Sequence, residues 1–307
     1  MSRVVAVGVR LFVIVAVAGM VVLGVALGAA LLPVLDDAEP AVEEAPDHPE
    51  FDVDRIAPDR IDAGGQASPD AEVGTVLFDQ TNDNRFEAED VKPLMRAITD
   101  AGGDVTFTPD DAPIGEHLDG VDVLVVVDPG QEYGEAEVDA VREFVDDGGQ
   151  LLILGGPTRT EIQEIDLGAE LTEERSELTS LGSAFGITFD TQYLYDMEYN
   201  DGNFKNVVVG PATEDPTVEG VEEVTMYTAA AVEVGEGTVL LETAPTAERS
   251  GGGAQATRPV AVQTADGSVI AVGDTRFLSD QYHDVADNEV FIERLVEFMA
   301  QGDRGDG

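Results

Sequence analysis

With no cysteine in its 307 residues and only three histidines, this chain must do any chemistry almost wholly through oxygen-bearing side chains. Disulfides, thiolate metal sites, iron–sulfur clusters and a cysteine nucleophile are excluded outright. Asp79, Asn82, Asp83 and Asn84 follow one apolar run, Asp128 a second and Asp274 a third, while Asp287 and Asn288 precede the last helical stretch. If those runs are strands of one open sheet, these groups line its carboxyl edge, where such sheets usually hold ligands. Asp79 and Asp274 then form a carboxylate pair of the type that supplies an acid and a base. The plainer reading is an Asx-rich turn at the first loop, with Asp274, Asp287 and Asn288 capping the turns and helix beside them. The sequence supports either.

The turn Gly155-Gly156-Pro157 can aim backbone N–H groups at an anion, although turn geometry alone accounts for its glycines. The candidate ligand-binding set is therefore Asp79, Asn82, Asn84, Asp128, Gly155, Gly156, Asp274, Asp287 and Asn288, with no catalytic residue assigned. His48, His117 and His283 share no metal-ligand spacing, and His283, near Asp280, Asp284 and Asp287, reads as a surface-loop residue. Asp196, Glu198, Asn200, Asp201 and Asn203 make an oxygen-rich group without EF-hand spacing. Ser183 and Ser279 sit on no strained elbow, and neither Gly-rich phosphate motif occurs. No metal and no cofactor is expected.

Charge narrows the function further. Sixty-three acids against 16 Lys and Arg leave a formal charge of −47, which excludes a nucleic-acid partner gripped by phosphate neutralisation. The acids are spread over the whole length, and Lys92 and Lys205 are the only lysines. Such a surface repels itself unless salt screens it. The composition is similar to that of haloarchaeal proteins.

The elements that must position these residues begin after an apolar N-terminal segment. From Leu11 to Leu35 no residue is charged, a run of about 25 where roughly 20 span a bilayer. Arg3 and Arg10 precede it, and Asp36, Asp37 and Glu39 follow. That asymmetry puts the N-terminus in the cytoplasm and the body outside, on a single-pass anchor over 4–35 in the cell membrane. A cleaved signal peptide, with Leu27-Gly28-Ala29-Ala30 as the cut region, is the competing reading. Residues 36–72 form an acidic, Pro-rich linker, and 302–307 a disordered tail.

Over 73–301, strand and helix patterns alternate. Val73–Phe78, Val105–Thr108, Val121–Val127 and Leu151–Leu154 read as strands. Helical stripes lie between them, through Val91, Leu94, Met95 and Ile98 and through Val138, Val141, Phe144 and Val145. Gly pairs close both stripes, so the pattern predicts a doubly wound, mostly parallel α/β sheet of flavodoxin-like type. Further on, the pattern predicts a helix from Glu173 to Phe185, a short strand Ile187–Phe189 and a polar loop to Asn203. Strands follow at Val207–Val209, Met226–Tyr227, Ala230–Val234 and Thr238–Glu242, then a mobile loop over Glu248–Thr257. A hairpin turning at Asp266-Gly267 and a closing helix Asn288–Ala300 complete the body.

At Phe78–Phe86, at Val123–Asp128 and at Gly148–Gly156 the chain resembles the class I glutamine amidotransferase-like domains. The ending Gly273-Asp274-Thr275-Arg276-Phe277-Leu278, with Ala286-Asp287-Asn288, is similar to domain-of-unknown-function family 4350. In glutaminases a Cys occupies the turn after a core strand. The matching turn here, Gly155-Gly156-Pro157, carries neither Cys nor Ser, so no thioester route exists. The resemblance implies a membrane-tethered archaeal protein working with a membrane-protein or envelope partner, in an envelope or transport assembly. The expectation is a non-catalytic binding or interaction module. The rival is a hydrolase acting on external sugars or peptides through Asp79 and Asp274.

Overall fold

Short apolar runs closed by Gly or Asp become the strands of the core. In the computed structural model, which describes residues 72–109, 112–165 and 168–302, β1 (Thr75–Phe78) leads to α1 (Lys92–Asp100), β2 (Asp104–Phe107), β3 (Val123–Val127), α2 (Glu135–Asp146) and β4 (Gln150–Leu154). A hairpin of β5 (Arg159–Ile165) and β6 (Gly168–Glu174) precedes α3 (Thr179–Ala184) and β7 (Ile187–Tyr195). Then come β8 (Asn206–Pro211), β9 (Val224–Tyr227), β10 (Ala230–Val234), β11 (Gly237–Thr243) and β12 (Glu248–Arg249). β13 (Pro259–Thr264), β14 (Val269–Val272) and α4 (Asn288–Met299) close the chain. The expected anchor over 4–35 and nearly all of the linker and tail lie outside the described residues. Among the described residues no helix is long and apolar enough to cross a membrane.

Nine strands form the main sheet in the order β2-β1-β3-β4-β14-β13-β11-β8-β9. The first five run parallel, as the alternating pattern requires. Every residue of β3, β4 and β14 is buried, which is why they read as unbroken apolar runs rather than alternating ones. Alternate side chains serve opposite faces. Val123, Val125 and Val127 pack with Leu94, Ile98, Phe291 and Leu295 of α1 and α4. Leu124 and Val126 pack with Val141, Phe144 and Leu181 of α2 and α3. The sheet is thus wound on both faces.

Beyond β14 the sheet departs from the alternating scheme. β13, β11, β8 and β9 are joined antiparallel, with Asp266-Gly267 turning the β13–β14 hairpin at a positive φ of 79° on Gly267. β10, β7 and β12 form a separate three-stranded sheet. Three expectations need correction. The helix expected from Glu173 begins only at Thr179, because Gly168–Glu174 pairs in register with Arg159–Ile165 as a hairpin. β7 runs nine residues, not three, because Thr188 and Phe189 pair with β10 and Tyr195 with β12. Glu248 and Arg249, placed in a mobile loop, are that partner strand.

Candidate functional site

Strand order 2-1-3-4 places the reversal of winding between β1 and β3, and the loops at their carboxyl ends face each other there. Asp79 extends β1 by donating its backbone N–H to the Val125 carbonyl at 2.9 Å. Its side chain is fully buried. One oxygen accepts the Thr81 N–H (3.0 Å), the Thr81 hydroxyl (2.8 Å) and the Thr108 hydroxyl (3.3 Å). The other accepts the phenol of Tyr133, itself buried. Burial first, then the charge and hydrogen bond of Asp79, hold the Tyr133 phenol well above its usual range. Asn84 receives the Asn82 N–H on its side-chain oxygen (3.2 Å) and donates to the Val127 carbonyl (3.0 Å). The Asn82 carbonyl accepts from Gly130 and Gln131 at 2.9 and 3.0 Å, so the loop after β1 is sewn to the loop after β3.

Asp128 is the centre of a second cluster. It is 1% exposed and sits at φ 41°, in the left-handed region that Asp tolerates better than most residues. Arg85 donates to Oδ1 at 3.0 Å, Arg159 donates to Oδ2, and the Ser176 hydroxyl donates to Oδ1. Ser176 in turn accepts the Gly156 N–H at 2.9 Å. Arg85 also reaches the Arg175 carbonyl. A small open cleft of about 70 Å³ adjoins this cluster, with Gly156, Arg175, Ser176, Phe189, Asp190 and Thr191 among its walls.

Gly155 adjoins the Asp128 cluster and donates its N–H to the Val272 carbonyl at 3.1 Å, whereas Asp274, Asp287 and Asn288 are held by other partners. Asp274 is buried, and its two oxygens accept backbone N–H groups of Tyr227 (2.8 Å), Thr275 (2.9 Å) and Arg276 (3.1 Å). Burial pushes its carboxyl above the usual range, and those three donors oppose the shift. Asp287 accepts from Glu222 and Glu223 at 2.8 and 3.0 Å. Asn288, fully buried, pairs with both backbone groups of Thr225 on the outermost strand β9 and donates to the Tyr282 carbonyl. Asp287 and Asn288 thus finish a sheet edge. The structure brings Asp79, Asn82, Asn84, Asp128 and Gly156 to one region and leaves Asp287 and Asn288 elsewhere.

Asp79 and Asp274 do not meet as an acid–base pair. β1 and β14 are three inter-strand steps apart, about 14 Å at the usual strand spacing, whereas paired carboxylates of glycosidases stand about 5–9.5 Å apart. In the oxygen-rich loop, Asp196 accepts the N–H groups of Glu198 and Tyr199 and the Thr246 hydroxyl. Among the described residues no group of three or more acids and histidines is placed to hold a metal.

Tyr133, Arg159 and Ser176 escape sequence reasoning because they reach the aspartates across separations of 54, 31 and 48 residues. Arg85 had one signal, its place at the end of the loop that follows β1.

The family model described as "Domain of unknown function (DUF4350)" matches residues 93–296. Among solved structures, the mmIFT52 N-terminal domain aligns with a TM-score of 0.60 at 16% identity, over 74% of this chain and 98% of its own. A ThuA-like protein from Bacteroides uniformis ATCC 8492 aligns with a TM-score of 0.42 at 13% identity, over 73% of this chain and 92% of its own. One from Parabacteroides merdae ATCC 43184 aligns with a TM-score of 0.46 at 13% identity, over 75% and 90%. Identities this low speak to fold and not to activity. No curated protein matches the sequence.

Proposed function

The chain belongs to the DUF4350 family, and from that premise we propose a non-catalytic binding module, tethered to the cell membrane and displayed on its outer face. One observation carries the reading: Asp79, Asp128 and Asp274, the carboxylates at the ends of β1, β3 and β14, are buried and already occupied by donors of the chain itself. A general acid or base needs a free lone pair or proton within reach of a substrate. The turn after β4 adds no nucleophile, since Gly155-Gly156-Pro157 has no reactive side chain.

The tether rests on the uncharged run Leu11–Leu35 and its flanking charges. The acidic, lysine-poor surface fits a salt-rich exterior such as that of a halophilic archaeon, and its partner is a membrane or envelope protein. Protease added to intact cells producing the full chain tests the arrangement. Digestion of the body with survival of a small membrane-bound stub is expected, and a spared body overturns the topology. Doubling Asp79→Asn with Asp274→Asn, in a variant shown to be folded, tests the chemistry. Retained cross-linking to the native partner fits a binding module, whereas a substrate turnover abolished by the double variant defeats it.

A further inference from the structure

The loop that joins β7 to β8 has its hydropathy reversed. Asp196, 1% exposed, accepts the N–H groups of Glu198 and Tyr199 at 2.8 and 2.9 Å and the Thr246 hydroxyl at 2.6 Å. Asn200 donates to the Asp196 carbonyl at 2.9 Å, Asn203 accepts the Lys205 N–H at 3.0 Å, and Asn206 donates to the Asp201 carbonyl at 3.1 Å. These polar side chains are spent on the loop's own backbone. Met197, Tyr199 and Phe204 are instead 68%, 44% and 41% exposed, three of the five large apolar side chains left exposed among the described residues. Single exposed apolar residues are ordinary, but three on one tightly bonded loop mark an interaction surface.

The rings are fixed in advance. Tyr195 and Phe204 meet edge to face with 6.1 Å between centroids, and Tyr193 lies 6.3 Å from Tyr195. The Tyr195 phenol donates to Glu248 at 2.9 Å, and the Tyr199 phenol donates to Glu223. Rings held this way lose little freedom on binding. What such a ring face accepts is already on display: the Lys205 ammonium sits 4.4 Å over the Tyr193 centroid and 6.0 Å from that of Phe204. Lys205 is the loop's one cation, against Asp196, Glu198 and Asp201, with Glu223 and Glu248 bonded to its phenols. A second copy of the chain would set the same acids against this face, like charge on like. Rings and carboxylates together fit a cationic side chain flanked by apolar ones.

We infer that Met197, Tyr199 and Phe204 form the docking face for a protein partner, one that presents Arg or Lys between apolar side chains. This rests on the binding-module reading and names the chemistry of its partner. The test titrates the full chain, in nanodiscs of neutral lipid, with the capped peptides Leu-Arg-Leu, Leu-Glu-Leu and Gly-Arg-Gly. About 1 M KCl, with a Debye length of about 3 Å, screens diffuse attraction to the acidic surface. Saturable movement of the backbone amide resonances of 197–204 is expected with Leu-Arg-Leu alone. Phe204→Ser should weaken that binding about tenfold or more, the loss of an aromatic anchor. Met197→Ser, at a more exposed position, serves if the first variant fails to fold. No saturable movement overturns the proposal, as does undiminished binding in both variants. Equal movement with Gly-Arg-Gly reduces the effect to charge, and equal movement with Leu-Glu-Leu removes the preference for a cation; either overturns it. Shifts at these amides that grow with protein concentration, without peptide, assign the face to a second copy and overturn it too. Failure here leaves the protease and cross-linking results intact, so the broader reading stands or falls separately.

Discussion

The phenol of Tyr133, 54 residues along the chain from Asp79, donates a hydrogen bond to its carboxylate where neither side chain meets solvent. That bond ties the loop before α2 to the carboxyl end of β1. Tyr133→Phe keeps the ring and deletes only the donor, leaving one oxygen of a buried carboxylate short of a partner. A loss of about 1–3 kcal/mol is expected, read as a lower denaturant midpoint at unchanged slope. A variant as stable as the parent would mean the bond contributes nothing.

Alkaline pH should act through the same residue. Burial raises the pKa of Tyr133, and burial together with the charges of Asp201, Asp274 and Asp284 raises that of Tyr227. Both phenols keep their protons in the folded chain at a pH where the unfolded chain has lost them, near an ordinary value of about 10. The unfolded state then binds fewer protons, so stability is fully present below about pH 10 and falls as pH rises beyond it. Tyrosinate absorbance should show two phenols ionising only as the fold is lost. Tyr133→Phe should shallow the decline.

Asn288 tests how the outer edge of the sheet is closed. Its amide both receives from and donates to Thr225, a side chain standing in for a neighbouring strand, with a further bond to the Tyr282 carbonyl. Asn288→Ala orphans the two backbone groups of Thr225 in a buried place and should cost about 2–4 kcal/mol, beyond the roughly 1 kcal/mol of an ordinary helix cap. Asn288→Asp should cost at least as much, since it sets a carboxylate against two carbonyls. Chemical denaturation of both variants ranks them.

What the sequence made legible follows physical distance along the chain. β1, β3, β4 and β14 are buried on both faces, and their unbroken Val and Leu runs announce it. Asp79, Asp128 and Asp274 are readable as edge residues because each directly follows such a run. The β5–β6 hairpin was hidden: Arg159–Glu174 is rich in Glu and shows no strict alternation, so Glu173 looked like a helix start. The antiparallel extension was legible as strands but not as an order, because pairing is set between segments and not within them. For the same reason the partners of the aspartates stayed invisible while the aspartates did not.

Two glycines of this edge should respond to alanine in opposite ways. A Cβ on Gly273 would fall 2.1 Å from the Ala230 carbonyl oxygen, where β10 crosses the end of β14 and the Ala230 N–H donates to the Gly273 carbonyl at 2.7 Å. Backbone cannot retreat cheaply, and Gly273→Ala should cost about 3 kcal/mol or more. A Cβ on Gly156 meets nothing within 4 Å, so Gly156→Ala should stay within about 0.5 kcal/mol. Thermal melts of the pair check this. Equal losses would show that the turn after β4 needs its glycine for more than space.

Salt should govern the whole. Seven ion pairs join described residues, two of them on the single buried Asp128, so few of the acids among the described residues are paired with a cation. The Lys92–Asp280 pair, at 2.7 Å, is more than half exposed on both sides and contributes little. Their repulsion is felt over about 10 Å in 0.1 M salt and about 3 Å in 1 M salt. Raising KCl across that range should therefore raise the melting temperature steeply and shrink the hydrodynamic radius. Sucrose, which strengthens burial by exclusion without screening charge, should reproduce only a minor part of the gain. A melting temperature indifferent to KCl would mean that the acids are spaced widely enough not to feel one another, and the salt-adapted reading of the surface would go with it.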